Sequence, residues 1–124
     1  MNHSELERSK DQLTRQLLFF DEEWNGFINA YMPERTSARS GVERLMTRYV
    51  SELERLVADF TPERLHASVL IGSTVRLRYP DEGETESWTI VFPDRADFEC
   101  GRISFLSPVG LQLLLATAGE ARTL

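Results

Sequence analysis

A chain of 124 residues is long enough for one domain, or for a small domain with an appendage. With 41% hydrophobic and 27% charged residues it has the composition of an ordinary folded protein, which excludes a disordered one. The formal net charge of −6 argues against direct, sequence-specific nucleic-acid binding, because such binding needs basic surface to displace counterions. A protein is therefore the better partner class.

No apolar run reaches the roughly 20 residues of a membrane-spanning helix, and the N-terminus lacks a signal peptide's apolar segment. The sequence therefore predicts a cytoplasmic protein without a membrane partner. The single cysteine, Cys100, excludes an internal disulfide and is expected to be at least half buried. Because His3 and His66 offer no metal-ligand spacing, and no nucleophile or phosphate loop is visible, we expect no metal site, no cofactor and no catalytic residue.

The first part of the chain has the pattern of a helix with one packed face. Ser4 and Glu7 have capping-box spacing, which satisfies two free N–H groups at a helix start. Pro33 ends the helix because its ring clashes with the preceding turn. The apolar residues recur at steps of three, four and seven: they are Leu6, Leu13, Leu17, Phe20, Trp24, Phe27 and Tyr31.

A second capping box, Ser40 to Glu43, opens the next helix. Its apolar stripe has the same spacing and consists of Val42, Leu45 or Met46, Tyr49, Leu53, Leu56 and Phe60. Two stripes of similar length, joined by a short polar loop, predict an antiparallel helical hairpin over residues 1–60 with residues 32–39 at its tip. Residues 61–68 then form a linker, in which a threonine cap and a proline start a single helical turn.

A β-hairpin follows the linker. Residues 69–79 alternate as a strand, a turn with proline and glycine comes next, and residues 88–92 return as the second strand. The side chains expected to face each other across this hairpin are charged: Arg76 and Arg78 on one strand, Glu84 and Glu86 on the other.

The stretch 101–119 carries strand, turn and helix signals in direct succession. Ile103 and Phe105 alternate with polar residues, as in a strand with one buried face. Ser107 is a helix cap, and Pro108 suits the first helical position because its φ is already set. Gly119 is expected to end the helix by adopting a left-handed conformation.

This segment also carries a family resemblance. The run Gly-Arg-Ile-Ser-Phe-Leu-Ser-Pro-Val-Gly-Leu-Gln-Leu-Leu, residues 101–114, resembles the signature of the C-terminal domain of the Gre transcript-cleavage factors and of the shorter regulator of nucleoside diphosphate kinase. The resemblance extends upstream through residues 69–75 and 90–97. It covers about residues 61–119.

The resemblance implies an α+β fold in which the helical hairpin (1–60) precedes a small FKBP-like antiparallel sheet with one helix (69–124), cut short at its C-terminus. It further implies a bacterial transcription factor that binds RNA polymerase near the secondary channel and regulates elongation by occupancy, without catalysis of its own. In the family, the connection before the signature lies on the docking side. By resemblance, Asp97, Ser107 and Pro108 are then candidates for contacting the polymerase, although Asp97 and Ser107 could equally cap turns.

The number of acidic residues at the hairpin tip distinguishes this hypothesis from its first alternative. Gre coiled coils present acidic residues to a catalytic Mg²⁺, and a hard cation held by few ligands normally needs two carboxylates. Here the tip offers Glu34 alone, flanked by Arg35 and Arg39, because Asp21 to Glu23 lie on a mid-helix face. The alternative is a Gre-type factor that stimulates cleavage of backtracked RNA through Glu34.

The second alternative is a self-associating adaptor. A sheet that ends early leaves an unpaired edge, which we expect to be covered by the hairpin, by a second copy of the chain or by rearranged local structure. A homodimer through this open edge is thus a further implied partner.

Overall fold

The computed structural model describes residues 2–122, which form helices and one three-stranded sheet, the predicted α+β class. The chain divides into two compact units between His66 and Ala67, a point inside the predicted linker. The outer limits of the predicted domains, residues 1 and 123–124, lie outside the described residues.

The first unit contains four helices: α1 (His3–Glu22), α2 (Trp24–Tyr31), α3 (Ser37–Ala58) and the single turn α4 (Pro62–Leu65). The packing of α3 against α1 and α2 is antiparallel, since Tyr49 bonds to Gln16 while Arg39 bonds to Met32. The buried apolar residues on the facing sides are Leu13, Ile28, Val42, Met46, Tyr49, Leu53 and Leu56.

Both predicted capping boxes of the hairpin are wrong. Helix α1 is capped by Asn2, whose Oδ1 accepts from the Glu5 N–H at 2.9 Å. Helix α3 is capped by Thr36, whose Oγ1 accepts from the Arg39 N–H at 3.2 Å. Ser4 and Ser40 therefore lie inside the helices, because an equally good cap residue stands upstream of each.

The predicted first helix is divided at Glu23, where φ is −117° and ψ is −8°. The hydrogen bonds still run through the break, since the Glu23 N–H donates to Phe19 O and the Phe27 N–H donates to Glu23 O. Beyond the break, the rings of Trp24, Phe27 and Tyr31 follow one another at centroid distances of 5.7 and 4.7 Å. This aromatic row is only partly buried, and Tyr31 is 51% exposed.

The second unit contains the sheet, in the order β1 (Thr74–Arg78), β2 (Thr85–Val91) and β3 (Arg102–Ser104), and helix α5 (Pro108–Leu113). Two short 3₁₀ turns, Pro93–Arg95 and Phe98–Cys100, connect β2 to β3.

The sheet is mixed, which corrects the expected all-antiparallel arrangement. Strands β1 and β2 pair antiparallel as predicted, but β2 and β3 pair parallel, with Ile90 opposite Ile103. Within the β-hairpin, Glu86 lies opposite Leu77. The predicted pairing of Arg76 and Arg78 with Glu84 and Glu86 is therefore wrong, because successive side chains of a strand point to opposite faces.

The second unit also departs from the prediction at both ends. Strand β1 begins at Thr74 and not at Val69, because Gly72 turns the chain with a φ of +103°. Helix α5 stops at Leu113 and not near Gly119, since Leu115 already adopts the left-handed conformation with a φ of +65°.

Both departures lie beside a backbone pairing between Val69 and residues 115–116. The Val69 N–H donates to Ala116 O and the Leu115 N–H donates to Val69 O, each at 2.8 Å. Leu70, Leu114 and Ala116, at or next to this pairing, are buried, as are Ile90 and Phe105. No helix within residues 2–122 has both the length and the apolar composition needed to cross a membrane.

Candidate functional site

The serine–proline corner, residues 104–110, connects β3 to α5 and is held by its own short hydrogen bonds. Ser107 caps the helix as predicted, because its Oγ accepts from the Gly110 N–H at 3.0 Å. The same hydroxyl donates to Ser104 O at 2.6 Å, and Ser104 Oγ accepts from the Leu106 N–H at 3.0 Å. The Ser107 hydroxyl thus both donates and accepts hydrogen bonds within the corner, whereas Pro108 beside it is exposed.

Gly110 allows helix and strand to approach backbone to backbone. A Cβ at this position would lie 2.3 Å from Ser104 O, a distance that no side chain tolerates, and 3.0 Å from Phe105 Cα, which is tight. Phe105 is fully buried and packs edge to face on Phe92, with ring centroids 5.3 Å apart. The corner is therefore a rigid platform that presents Pro108 at its surface.

Asp97 organises the turn that leads into β3. Its backbone pairs with that of Arg102 through two hydrogen bonds of 2.9 and 3.0 Å, and its carboxylate lies 3.6 Å from the Arg102 guanidinium. The hydrogen bond from the Cys100 thiol, helped by the Cys100 N–H and by Arg102, lowers the pKa of Asp97 below its usual value. Asp97 therefore closes a turn and remains partly exposed, with 43% of its side chain accessible.

The Cys100 thiol is exposed, so the expectation of a half-buried side chain is wrong. The turn formed by Phe98–Cys100 places it outside the core. Its pKa is raised, first by the hydrogen bond to Asp97 and then by the negative charge of that carboxylate. The thiol is thus stabilised in its protonated form.

An exposed aromatic side chain next to Asp97 escaped the sequence analysis. Phe98 is 76% exposed, and its ring lies 5.0 Å from that of the partly buried Trp88. The indole N–H of Trp88 donates to Glu86 Oε2, which also accepts from the Tyr79 hydroxyl. A phenylalanine between two acidic residues, outside any alternating pattern, was the sequence signal that could have identified it.

The three predicted docking residues lie on two segments of the second unit. Asp97 precedes β3 in the chain, whereas Ser107 and Pro108 follow it. At the hairpin tip, Glu34 and Arg35 are both exposed in the loop between α2 and α3. Arg39, expected in that loop, is instead buried in the first turns of α3. Among residues 2–122, no group of three or more histidine, cysteine or acidic side chains could hold a metal ion.

Comparison with known proteins identifies the family to which the second unit is similar. Residues 64–124 match the family model described as "Transcription elongation factor, GreA/GreB, C-term". Through its C-terminal domain, the chain belongs to the GreA/GreB family. The Gre-type domain so defined contains the corner, the Asp97 turn and the Phe98–Trp88 pair.

Two curated relatives of the Gre-type chain are themselves transcription elongation factors. GreA of Desulfovibrio desulfuricans is 37% identical over 83 residues, which cover 66% of this chain and 51% of that protein. GreA of Treponema pallidum is 32% identical over 93 residues, which cover 74% of this chain and 57% of that protein. This chain thus spans about half the length of the curated relatives it matches.

Solved structures of Gre-type proteins are also similar. The GreA/GreB factor from Nitrosomonas europaea is 31% identical, with a TM-score of 0.43 over 64% of this chain and 70% of that one. GreA factor homolog 1 of Thermus thermophilus is 24% identical, with a TM-score of 0.45 over 98% of this chain and 80% of that one.

Proposed function

We propose that this chain is a transcription factor that binds RNA polymerase near the secondary channel and regulates elongation by occupancy, without catalysis of its own. The observation that carries the proposal is the match of residues 64–124 to the GreA/GreB C-terminal domain. The two curated GreA relatives described above support it.

The Gre-type domain offers two groups of contacts for docking. Pro108 lies exposed on a corner whose serine hydroxyl and backbone are internally bonded, so docking there costs little ordering of the chain. Phe98 and Asp97 offer an exposed ring and a carboxylate on the turn before β3. A partner surface with an apolar pocket and a basic residue would complement this turn.

The test is binding of the full chain to purified RNA polymerase, followed by competition with an authentic Gre factor. We expect Phe98→Ala and Pro108→Ala to weaken binding by about tenfold each, since truncating a contact at the centre of an interface typically costs more than 1 kcal/mol. Thr85→Ala, an exposed residue of β2, is the matched control. Absence of binding at micromolar concentration, or binding that ignores the competitor, would refute the proposal.

A second candidate function is stimulation of transcript cleavage through Glu34. The favouring observation is that this carboxylate is exposed in the loop joining the hairpin's helices. Weighing against it, the sequence from Met32 to Arg39 holds no other acidic residue, whereas a Mg²⁺ held by few ligands normally takes two. Cleavage of RNA in backtracked complexes that is lost in Glu34→Ala, with binding retained, would establish this function in place of pure occupancy.

A further inference from the structure

Arg39 is a buried charged residue whose contacts converge on the loop at the end of the hairpin. Its side chain is 6% exposed, and burying a guanidinium is unfavourable unless its donors are satisfied. Its Nη1 donates to Met32 O and its Nε donates to Glu43 Oε1, both at 2.9 Å. The backbone N–H of the same residue donates to Thr36 Oγ1.

These contacts tie both ends of the tip loop, residues 32–36, to one residue. Met32 is the C-cap of α2, so a positive charge at its carbonyl also suits the negative end of the helix. Thr36 is the N-cap of α3, and its own N–H donates to Glu34 O across the loop at 3.0 Å. With both ends fixed, the exposed Glu34 and Arg35 between them are held in one arrangement.

We propose that Arg39 is the positioning residue of the tip loop: it holds Glu34 and Arg35 in the geometry through which the hairpin acts on the polymerase. This inference rests on the proposed function for its consequence, but not for its structural part. Arg39 makes no contact with the polymerase itself. Its loss disables the tip while docking through the Gre-type domain persists.

The test compares Arg39→Lys and Arg39→Met in the full chain. Lysine keeps the positive charge but lacks the planar guanidinium, whose separate N–H groups reach Met32 O and Glu43 together. Methionine keeps a side chain of similar length without charge or hydrogen-bond donors. Arg48→Met, an exposed arginine of the same helix, is the matched control. If both Arg39 variants fail to fold, Glu43→Gln takes their place. It weakens the hydrogen bond between Glu43 and Arg39 while leaving Arg39 itself unchanged.

The first measurement is amide hydrogen exchange at Met32 and Thr36, whose N–H groups are bonded within the hairpin. We expect the exchange rate to rise about tenfold in both Arg39 variants, because each loses a hydrogen bond from a charged group. In the control variant the exchange rate should stay unchanged. Unchanged exchange in folded Arg39 variants would overturn the inference.

The second measurement separates positioning from mere stability. In a titration against RNA polymerase, the concentration for half-maximal binding should stay within about twofold of the unsubstituted chain, while the maximal effect on elongation falls about tenfold. A full effect at saturation would overturn the inference. If the unsubstituted chain binds no polymerase, the proposed function fails, and the exchange rates alone then decide whether Arg39 positions the loop.

Discussion

The Cα of Gly110 and the carbonyl oxygen of Ser104 are so close that any Cβ at Gly110 would lie 2.3 Å from that oxygen. Strand β3 and helix α5 therefore meet backbone to backbone at the serine–proline corner. The exposed Pro108 is held in place by this contact and by the bonds of Ser107.

The first prediction concerns Gly110. Gly110→Ala should lower the free energy of unfolding of the second unit by about 2 kcal/mol, because the methyl group has no space and strand or helix must shift. Trp24 lies in the first unit and Trp88 in the second, so denaturation of a Trp24→Phe background, followed by fluorescence, reports the second unit alone.

Gly26→Ala is the matched control for this substitution. Apart from its chain neighbours and its own helix backbone, no atom lies within 4 Å of a Cβ at Gly26, which stands inside helix α2. Alanine there should raise the stability of the first unit by about 0.5–1 kcal/mol, through its better helix propensity. Equal effects of the two alanines would contradict the close approach at the corner.

The second prediction concerns the Tyr49 hydroxyl, which donates to Gln16 Oε1 at 2.7 Å inside the hairpin. Tyr49→Phe should destabilise the first unit by about 1–2 kcal/mol, because a buried amide oxygen loses this donor. Chemical denaturation monitored through Trp24 measures the change. Tyr31→Phe, at a position that is 51% exposed, should change stability by less than about 0.5 kcal/mol.

Adding Gln16→Leu to Tyr49→Phe should recover part of that loss, since replacing both hydrogen-bonding partners with apolar groups costs less than removing one of them. A double variant as unstable as the sum of the two single ones would show that the hydrogen bond is not the source of the effect.

The third prediction is a pH dependence carried by Glu120. The bonds from Arg122 and from Thr117 lower the pKa of Glu120 from 4.5 to about 2. A carboxyl whose pKa is lower in the folded state stabilises the protein above its unfolded pKa, and the contribution disappears as the pH falls through the folded pKa.

Glu120→Gln should therefore be less stable than the unsubstituted chain at pH 7. The difference should shrink as the pH falls below about 4.5 and vanish near pH 2. Thermal unfolding between pH 7 and pH 3 measures this difference in stability. Asp81→Asn is the control for the loss of one exposed charge. A difference that is constant with pH would rule out the ionised Glu120–Arg122 pair as its cause.

The fourth prediction concerns the reactivity of Cys100. Because the hydrogen bond to Asp97 and the charge of Asp97 raise the pKa of the thiol, alkylation at pH 8 should be slower than that of a free cysteine peptide, although the thiol is exposed. Asp97→Asn should speed the reaction several-fold by lowering the thiol pKa. Asp94→Asn, an exposed carboxylate of the neighbouring turn, should leave the rate unchanged.

The features of the fold that could be predicted from the sequence are those that depend on neighbouring residues. Ser107 and Thr61 were predicted correctly as caps, because each is followed directly by a proline that fixes the first helical residue. Ser4 and Ser40 were not caps, since Asn2 and Thr36 satisfy the same requirement and the apolar spacing does not say which comes first.

Features set by distant contacts escaped prediction. Leu115 turns left-handed where the sequence suggested a continuing helix, because its backbone pairs with Val69, 46 positions earlier. The parallel pairing of β3 with β2 depends on two 3₁₀ turns that alternation of side chains does not reveal. The sequence placed Arg39 in the loop because it predicted a helix start at Ser40. The actual cap, Thr36, puts Arg39 inside α3, where its side chain bonds to Met32 O.

The candidate site was predictable only in part. Asp97, Ser107 and Pro108 came from the resemblance of residues 90–97 and 101–114 to a family, and their roles in docking stay predictions. Phe98, the most exposed large apolar side chain within residues 2–122, carries no periodic signal, and its position against the Trp88 ring depends on the fold.

The pairing of Val69 with Leu115 and Ala116 joins two backbone segments of the second unit that lie 46 and 47 positions apart along the chain. Hydrogen bonds that close so long a loop are lost whenever the chain between their partners opens. The sheet, the corner and these two segments should therefore unfold together as one cooperative body.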